Sequence, residues 1–366
     1  MSLLLFALLP GLLTRQEPSR IWAAYGDFVR PLEARAVISA DPESTFDCPM
    51  RGKSVHWESS HTFNPAAVVK DGKVWVIYRA EDDSGQGIGG YTSRLGLASS
   101  SDGIHFQARR TLILFPGDDS EKSREWEGGC EDPRCVETEG GTYVLFYTQY
   151  ARSADSAQTD LGMATSRDLI HWQKTGPVRG LRPDGSFVTP SKSASLVTEV
   201  KHGRLMAAKI AGKYWLYYGE GAIHLLSSPD LKSWTEAPGL SIAARAHRFD
   251  SSLAECGPPA VLTRQGIVLI YNGRNTEDDS RDPSLPGGTY CGGEVLLDSK
   301  DPSKVLARSD TPFFKPELPW ERTGQYSAGT TFLEGLVLFH HKWFLYYGAA
   351  DTYVGVAVAD SKAVRD

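Results

Sequence analysis

The chain has 366 residues, 41% of them apolar and 23% charged, with a formal net charge of −6. That is enough apolar material for one large domain or two ordinary ones. A mildly acidic chain with no run of Lys or Arg excludes a surface that tracks nucleic acid. The five cysteines, Cys48, Cys130, Cys135, Cys256 and Cys291, are odd in number and form no Cys-x-x-Cys pair. A disulfide framework or a structural zinc site is therefore not expected, and buried thiols are.

The first element in the chain is the apolar run Leu3–Leu13. It is too short to span a bilayer. It has the apolar character of a secretory signal core, yet no Lys or Arg precedes it and no clear small-x-small cleavage site follows. Residues 1–17 thus read as a signal peptide or as an N-terminal extension, which leaves a cytoplasmic and a periplasmic or secreted location both open. No other segment approaches transmembrane length, so no membrane partner is expected. Residues 18–366 are expected to form a single domain.

Further along, one unit recurs. The stretches LGLASSSDGIHF, LGMATSRDLIHW and IHLLSSPDLKSW share apolar residues, Ser or Thr, an Asp, and an aromatic four residues later. The Asp residues are Asp102, Asp168 and Asp230, 66 and 62 residues apart. Weaker echoes stand at Asp301 and Asp360. A second motif keeps the same beat, an apolar strand, a turn, and a strand ending in aromatics: VKDGKVWVIY, ETEGGTYVLFY, KIAGKYWLYY, TRQGIVLIY and FHHKWFLYY. Asp71-Gly72 and Gly140-Gly141 suit tight hairpins. The alternation in KVWVIY and TYVLFY has the period of a strand with one side buried. Long helical periodicity is nearly absent. Five copies of an all-strand unit, without kelch or WD signatures, predict an all-β fold, a five-bladed β-propeller. A pair of β-sandwiches would not explain the five-beat repeat. The segment before Asn64 is expected to close the ring or cover one end.

The residue that opens each repeat is polar: Asn64, Asp132, Lys192, Glu255 and Glu334. Each precedes an apolar strand, and in a propeller these first strands line the central channel. Buried polar groups are costly unless satisfied or used. Asp before Pro also commonly begins a turn; five converging positions favour a site. More polar groups end the second strands: Arg79, Glu81, Glu220, Asn272, Arg274 and Asp351. An acid cluster of this kind fits glycoside cleavage, which needs a proton donor and a second group on the far side of the sugar. In the inverting case the carboxyls lie about 6.5–9.5 Å apart. Acids on separate blades can meet that spacing.

Two polar stretches, from Phe115 and from Arg274, read as loops at the mouth. Trp126 and Tyr290 within them are placed to stack on a sugar in the leaving-group subsite. His105 and His171 occupy equivalent repeat positions and are expected to pack within blades. No metal-ligand spacing occurs among the nine His. No Gly-rich dinucleotide fingerprint follows a strand, so no nucleotide cofactor is implied.

The ordered set FNPAAVVKDGKVWVIYRAED, SRLGLASSSDGIHF, GGCEDPR, FDSSLAECGPPAV, LIYNG and WFLYYGAAD resembles glycoside hydrolase family 130 from about Trp22 to Asp360. The resemblance implies a five-bladed propeller acting on β-mannoside oligosaccharides, by phosphorolysis in most members and by hydrolysis of β-1,2 linkages in a minority. It makes Asp132 the general acid, delivering its proton through a mannose hydroxyl. It places Asn64, Arg79, Lys192 and Asp351 at sugar-binding positions, and Asn272 is expected to bind substrate as well. Arg134 would orient Asp132 or bind substrate.

What attacks is the remaining question. A phosphorylase must hold inorganic phosphate, its only co-substrate, with basic groups. The phosphorylases of the family are expected to carry His where this chain has Asn272, and to lack an acid at Glu255. Glu220 and Glu255 stand where the hydrolytic branch has two glutamates. A carboxylate there repels phosphate and can deprotonate water. The expectation is an inverting β-1,2-mannosidase with Glu220 or Glu255 as the base. The alternatives are a β-mannoside phosphorylase and a non-catalytic sugar-binding propeller.

Overall fold

The computed structural model describes residues 25, 27–31, 35–107 and 110–361. The apolar run Leu3–Leu13 lies outside them. Among the described residues strands dominate, and the helical pieces are one turn at Lys122–Glu125 and another at Pro319–Arg322.

Five antiparallel meanders follow one another. The first runs His61–Lys70, Lys73–Glu81, Ser93–Ser100 and Thr111–Leu114. The second runs Gly129–Glu137, Tyr143–Arg152, Ala157–Ser166 and Gln173–Pro177. The third runs Ala194–Lys201, Tyr214–Tyr218, Ala222–Ser228 and Trp234–Glu236. In the fourth the first strand is broken into Leu253–Cys256 and Ala260–Leu262, followed by Ile267–Arg274, Tyr290–Leu297 and Val305–Arg308. The fifth has Thr331–Phe339, Lys342–Ala349 and Tyr353–Asp360. Its outer edge is completed from the other end of the chain, where Val29 and Ile38 bridge to Val358 and Val354. The segment before Asn64 therefore joins the last unit.

Packing passes from unit to unit and returns to the start. Ala66, Ile77 and Leu97 of the first unit share a core with Cys135, Leu145 and Ala164 of the second. Equivalent cores join second to third, third to fourth and fourth to fifth. The last core joins Val337, Phe344 and Val356 of the fifth unit to Ala67, Val76 and Ala98 of the first. This changes the reading of KVWVIY. Its alternation predicts one buried side, yet Val74, Val76 and Tyr78 face the core shared with the fifth unit, while Trp75 and Ile77 face the one shared with the second. Both faces are covered because every sheet is sandwiched between two others.

The repeated Asp is a turn builder. Oδ1 of Asp102 accepts the N–H groups of Ile104 and His105, and that of Asp168 accepts those of Ile170 and His171. Asp230 does the same for Lys232 and Ser233. His105 and His171 do not pack within the units: their side chains are 60% and 86% exposed, each Nδ1 lying 2.7 Å from its Asp. The Asp turn projects them outward. His340-His341 likewise forms a two-residue hairpin with φ of 48° and 61°.

A glycine opposite the second-strand tyrosine has a separate reason. Gly96, Gly162, Gly293 and Gly355 stand opposite Tyr78, Tyr147, Tyr271 and Tyr347 on the neighbouring strand. Each ring lies across its glycine, and each hydroxyl donates at 2.7 Å to a carboxylate, Glu58, Glu125, Asp250 and Glu321 respectively. A cation completes each group: Arg110, Lys174, Arg308 and Arg30. In the third unit Leu225 replaces the glycine, and Tyr217 donates to the Pro302 carbonyl instead.

Candidate active site

Three of the residues that open the repeats sit on β-bulges inside the first strands, not ahead of them. Pairing slips between Phe63 and Pro65 at Asn64, between Glu131 and Arg134 at Asp132, and between Leu333 and Gly335 at Glu334. Asn64 and Asp132 have φ of 47° and 45°. A left-handed conformation costs a residue with a Cβ about 1–3 kcal/mol and concentrates at functional sites. The bulge turns the side chain out of the pleat. Pro65 and Pro133 follow directly and need no ladder hydrogen bond there.

The side chains meet. Asn64 Nδ2 donates to Asp132 Oδ1 at 2.8 Å, and an Arg79 NH1 contact lies 3.3 Å from the same oxygen. Arg79 NH2 is 2.8 Å from both Glu81 Oε1 and Glu131 Oε1. Lys192 Nζ lies 3.7 Å from Asp132 Oδ2, 3.4 Å from Glu255 Oε1 and 3.8 Å from Glu220 Oε1. Through Lys192, Asp132 Oδ2 lies no more than about 7.1 Å from Glu255 Oε1 and about 7.5 Å from Glu220 Oε1. Asp132 and Glu255 are buried, whereas the Glu220 side chain is 42% exposed on a turn between Gly219 and Gly221.

The charges are unbalanced in favour of acids, and the ionisation follows. Burial pushes the Asp132 carboxyl up, but Arg79, Lys192, Arg134 and the Asn64 hydrogen bond outweigh it and hold it well below the usual carboxylate range. Burial pushes Glu131 up against the pull of Arg79, with Asp132 adding to the rise. Burial also raises Asp351 to about 7, opposed by Arg79 and helped by Asp132 and Glu81. Burial raises Glu255, opposed by Lys192. Burial thus favours protonation of Glu131, Asp351 and Glu255, whereas the cations favour the charged form of Asp132.

Asp132, Glu220, Glu255, Asn64, Arg79 and Lys192 come together as expected, with Asp351 in the field of Arg79. The other two expected site residues, Arg134 and Asn272, make different contacts. Arg134 lies beneath Asp132, donating to the Asp132 and Cys256 carbonyls at 3.0 and 2.8 Å and pairing with Glu334 at 2.9 Å. It holds the bulge. Asn272 is fully buried, and its amide closes a double hydrogen bond with the Leu333 backbone, tying the fourth unit to the fifth. Its polar atoms are occupied by that link. Arg274 is likewise taken up by Tyr326, Ser252 and Glu277.

Sequence reasoning passed over Ser193, whose hydroxyl donates to Glu255 Oε1, and Ser93, which links Arg79 to Glu131. The Ser-Lys-Ser around Lys192 was the available signal. It also passed over Asn275, which organises the loop after Arg274 by donating to the carbonyls of Asp282, Leu285 and Pro286. Trp126 is half-buried under the Arg51 guanidinium, and Tyr290 packs edge-on to Tyr326 and Phe332.

A family model described as beta-1,4-mannooligosaccharide phosphorylase matches residues 40–366. A 1,2-beta-oligomannan phosphorylase of Thermoanaerobacter sp. strain X514 is 34% identical over 313 residues, covering 84% of this chain and 93% of the relative. A structure reported with the finding that the GH130 family of mannoside phosphorylases contains glycoside hydrolases targeting beta-1,2 mannosidic linkages in Candida mannan is 46% identical. It superposes with a TM-score of 0.87, covering 93% of this chain and 96% of that one. A glycosyl hydrolase from Bacteroides ovatus is 45% identical with a TM-score of 0.86, covering 93% and 95%.

Proposed function

The chain belongs to glycoside hydrolase family 130, and from that premise we propose that it is an inverting hydrolase releasing mannose from β-1,2-linked mannosides. The observation that carries the reading is the convergence of Asp132, Glu220 and Glu255 on one ammonium group, Lys192 Nζ, at 3.7, 3.8 and 3.4 Å. Both cations of the cluster, Lys192 and Arg79, are already matched by carboxylates. A phosphate dianion entering beside Glu255 meets net negative charge, whereas a water there meets a base. The higher identity to the structure reported with β-1,2-directed hydrolases than to the oligomannan phosphorylase supports the same reading.

In this mechanism Asn64, Arg79, Lys192 and Asp351 bind the mannose at the cleavage subsite. Asp132 supplies a proton to the glycosidic oxygen by way of a mannose hydroxyl as the C–O bond breaks. Glu255 or Glu220 takes a proton from water as its oxygen bonds to the anomeric carbon from the opposite face. Asp132 must be protonated in the complex, and in the empty site its cations oppose this. A sugar hydroxyl seated between Lys192 and Asp132 lengthens their 3.7 Å contact and weakens that opposition. No cofactor takes part.

The five meanders are read as the blades of a five-bladed β-propeller forming one domain. Their five shared cores and the N-terminal segment on the last meander support this.

Phosphorolysis is the second reading, favoured by the description of the matching family model and by the phosphorylase relative. Incubation with β-1,2-mannobiose, with and without inorganic phosphate, separates the two. Free mannose in phosphate-free buffer is expected. Mannose 1-phosphate formed only with phosphate would reverse the assignment.

A further inference from the structure

Ser193 is buried at the head of the strand Ala194–Lys201, with a left-handed backbone at φ 56°. Side chains with a Cβ avoid that conformation, so something must hold it. Two bonds lead from this residue to the two glutamates. Its hydroxyl donates to Glu255 Oε1. Its carbonyl accepts the N–H of Gly219 at 3.1 Å, at the turn that presents Glu220. The preceding residue, Lys192, points its ammonium at Asp132, Glu220 and Glu255. The left-handed Ser193 is thus the joint from which both glutamates are set against the acid.

We propose that Ser193 is a positioning residue, holding Glu255 through its hydroxyl and the Glu220 turn through its carbonyl in the placement that water activation needs. This rests on the hydrolytic reading above. A carboxylate that receives a hydroxyl donor is favoured in its charged form, which is the form a base requires. The other groups facing Glu255 divide. Lys192 and Arg134 favour its charge, while Glu220, Glu334, the Cys256 thiol and the Tyr290 phenol do not. Burial already works against ionisation. Loss of the hydroxyl therefore leaves Glu255 harder to ionise, and its acid limb moves to higher pH.

The test is Ser193→Ala, with Ser193→Gly as a second variant that relaxes the backbone and also lacks the hydroxyl. Mannose release from β-1,2-mannobiose in phosphate-free buffer is followed from pH 5 to 9. The expected result for both variants is about a tenfold lower kcat near neutrality, with little change in KM. The acid limb is displaced upward by about one pH unit, so that activity recovers as pH rises. A profile that overlays the unaltered enzyme, or a loss equal at every pH, overturns the proposal. A second measurement needs no turnover. The carboxyl 13C signal of Glu255, assigned by its disappearance in Glu255→Gln, is expected to titrate at higher pH in Ser193→Ala. An unmoved midpoint overturns the proposal. If the unaltered protein releases no mannose without phosphate, the hydrolytic reading falls, and this titration alone decides the role of Ser193.

Discussion

Asn64 of the first unit donates a 2.8 Å hydrogen bond to Oδ1 of Asp132 in the second, and both residues hold left-handed backbone on β-bulges. Two strained positions in successive units thus support one another. The carboxylate is aimed by a neutral donor and held ionised by Arg79 and Lys192. Replacement of Asp132 by Asn keeps the shape and removes the carboxyl that would carry the proton. Turnover of β-1,2-mannobiose by Asp132→Asn is expected to fall at least about 1,000-fold. Calorimetric titration should still detect binding. Activity within tenfold of the unaltered enzyme would falsify the assignment.

Glu255 and Glu220 differ in environment, and this separates their variants. Glu255 is buried and hydrogen-bonded, while Glu220 is exposed on its glycine turn. Loss of the base costs about 100- to 10,000-fold in rate. Only one of Glu255→Gln and Glu220→Gln is expected to lose activity on that scale, the other showing mainly a raised KM. Equal kcat in both variants and the unaltered enzyme would remove both glutamates from the chemistry.

Gly348 makes room for the Asn64 side chain. A Cβ added there would lie 2.0 Å from Asn64 Oδ1 and 2.9 Å from its backbone nitrogen. Gly348→Ala is therefore expected to push Asn64 off Asp132 and lower kcat about tenfold or more, although residue 348 itself carries no functional group. Unchanged kcat in a folded Gly348→Ala protein would show that Asn64 does not aim the acid.

Stability should rise as pH falls from 8 to 6. Asp351 titrates near 7 in the folded protein against an ordinary value of 3.8. A carboxyl with a raised folded pKa contributes stability that is fully present below its unfolded value and is lost as pH rises through its folded value. Glu131 and Glu255 are raised too and act in the same direction. Two groups act in the opposite direction: His61, lowered to about 4 by burial, offsets part of the gain as pH falls toward 6, and Asp132, held low, does so only once its unfolded form begins to protonate near pH 4. The thermal midpoint is expected to be a few degrees higher at pH 6 than at pH 8, with a smaller difference in Asp351→Asn. An identical difference in the two proteins would count against a titrating Asp351.

The tyrosine–glycine pairs make a stability prediction with no catalytic component. A Cβ on Gly293 would sit 2.5 Å from both the Tyr271 and Phe249 ring carbons. Overpacking of this kind costs roughly 1–3 kcal/mol. Gly293→Ala should lower the thermal midpoint by a few degrees and leave KM for mannobiose unchanged. An undiminished midpoint would mean the ring can shift without cost.

Some of this was legible in the chain because its causes are local. The Asp102, Asp168 and Asp230 turns close over two and three residues, so their spacing showed three beats of the repeat directly. Asp132 stood out as a charge ahead of an apolar run. The same local view misread His105 and His171, since a turn that exposes a side chain and one that buries it share one pattern. It also could not show what Asn272 and Arg134 contact. Their partners, Leu333 and the Cys256 carbonyl, lie 61 and 122 residues away.

The sequence by itself determined the strands, the repeat, and which acids and bases were available, because residue period and turn chemistry act between near neighbours. Only the tertiary structure decided which polar groups face one another and which are spent holding the frame. It put Lys192 among three carboxylates, hid Ser193 behind Glu255, and turned Arg134 beneath the acid. The reason is physical: pairing, burial and ionisation depend on distances between residues of different units, and those are set when the five shared cores close.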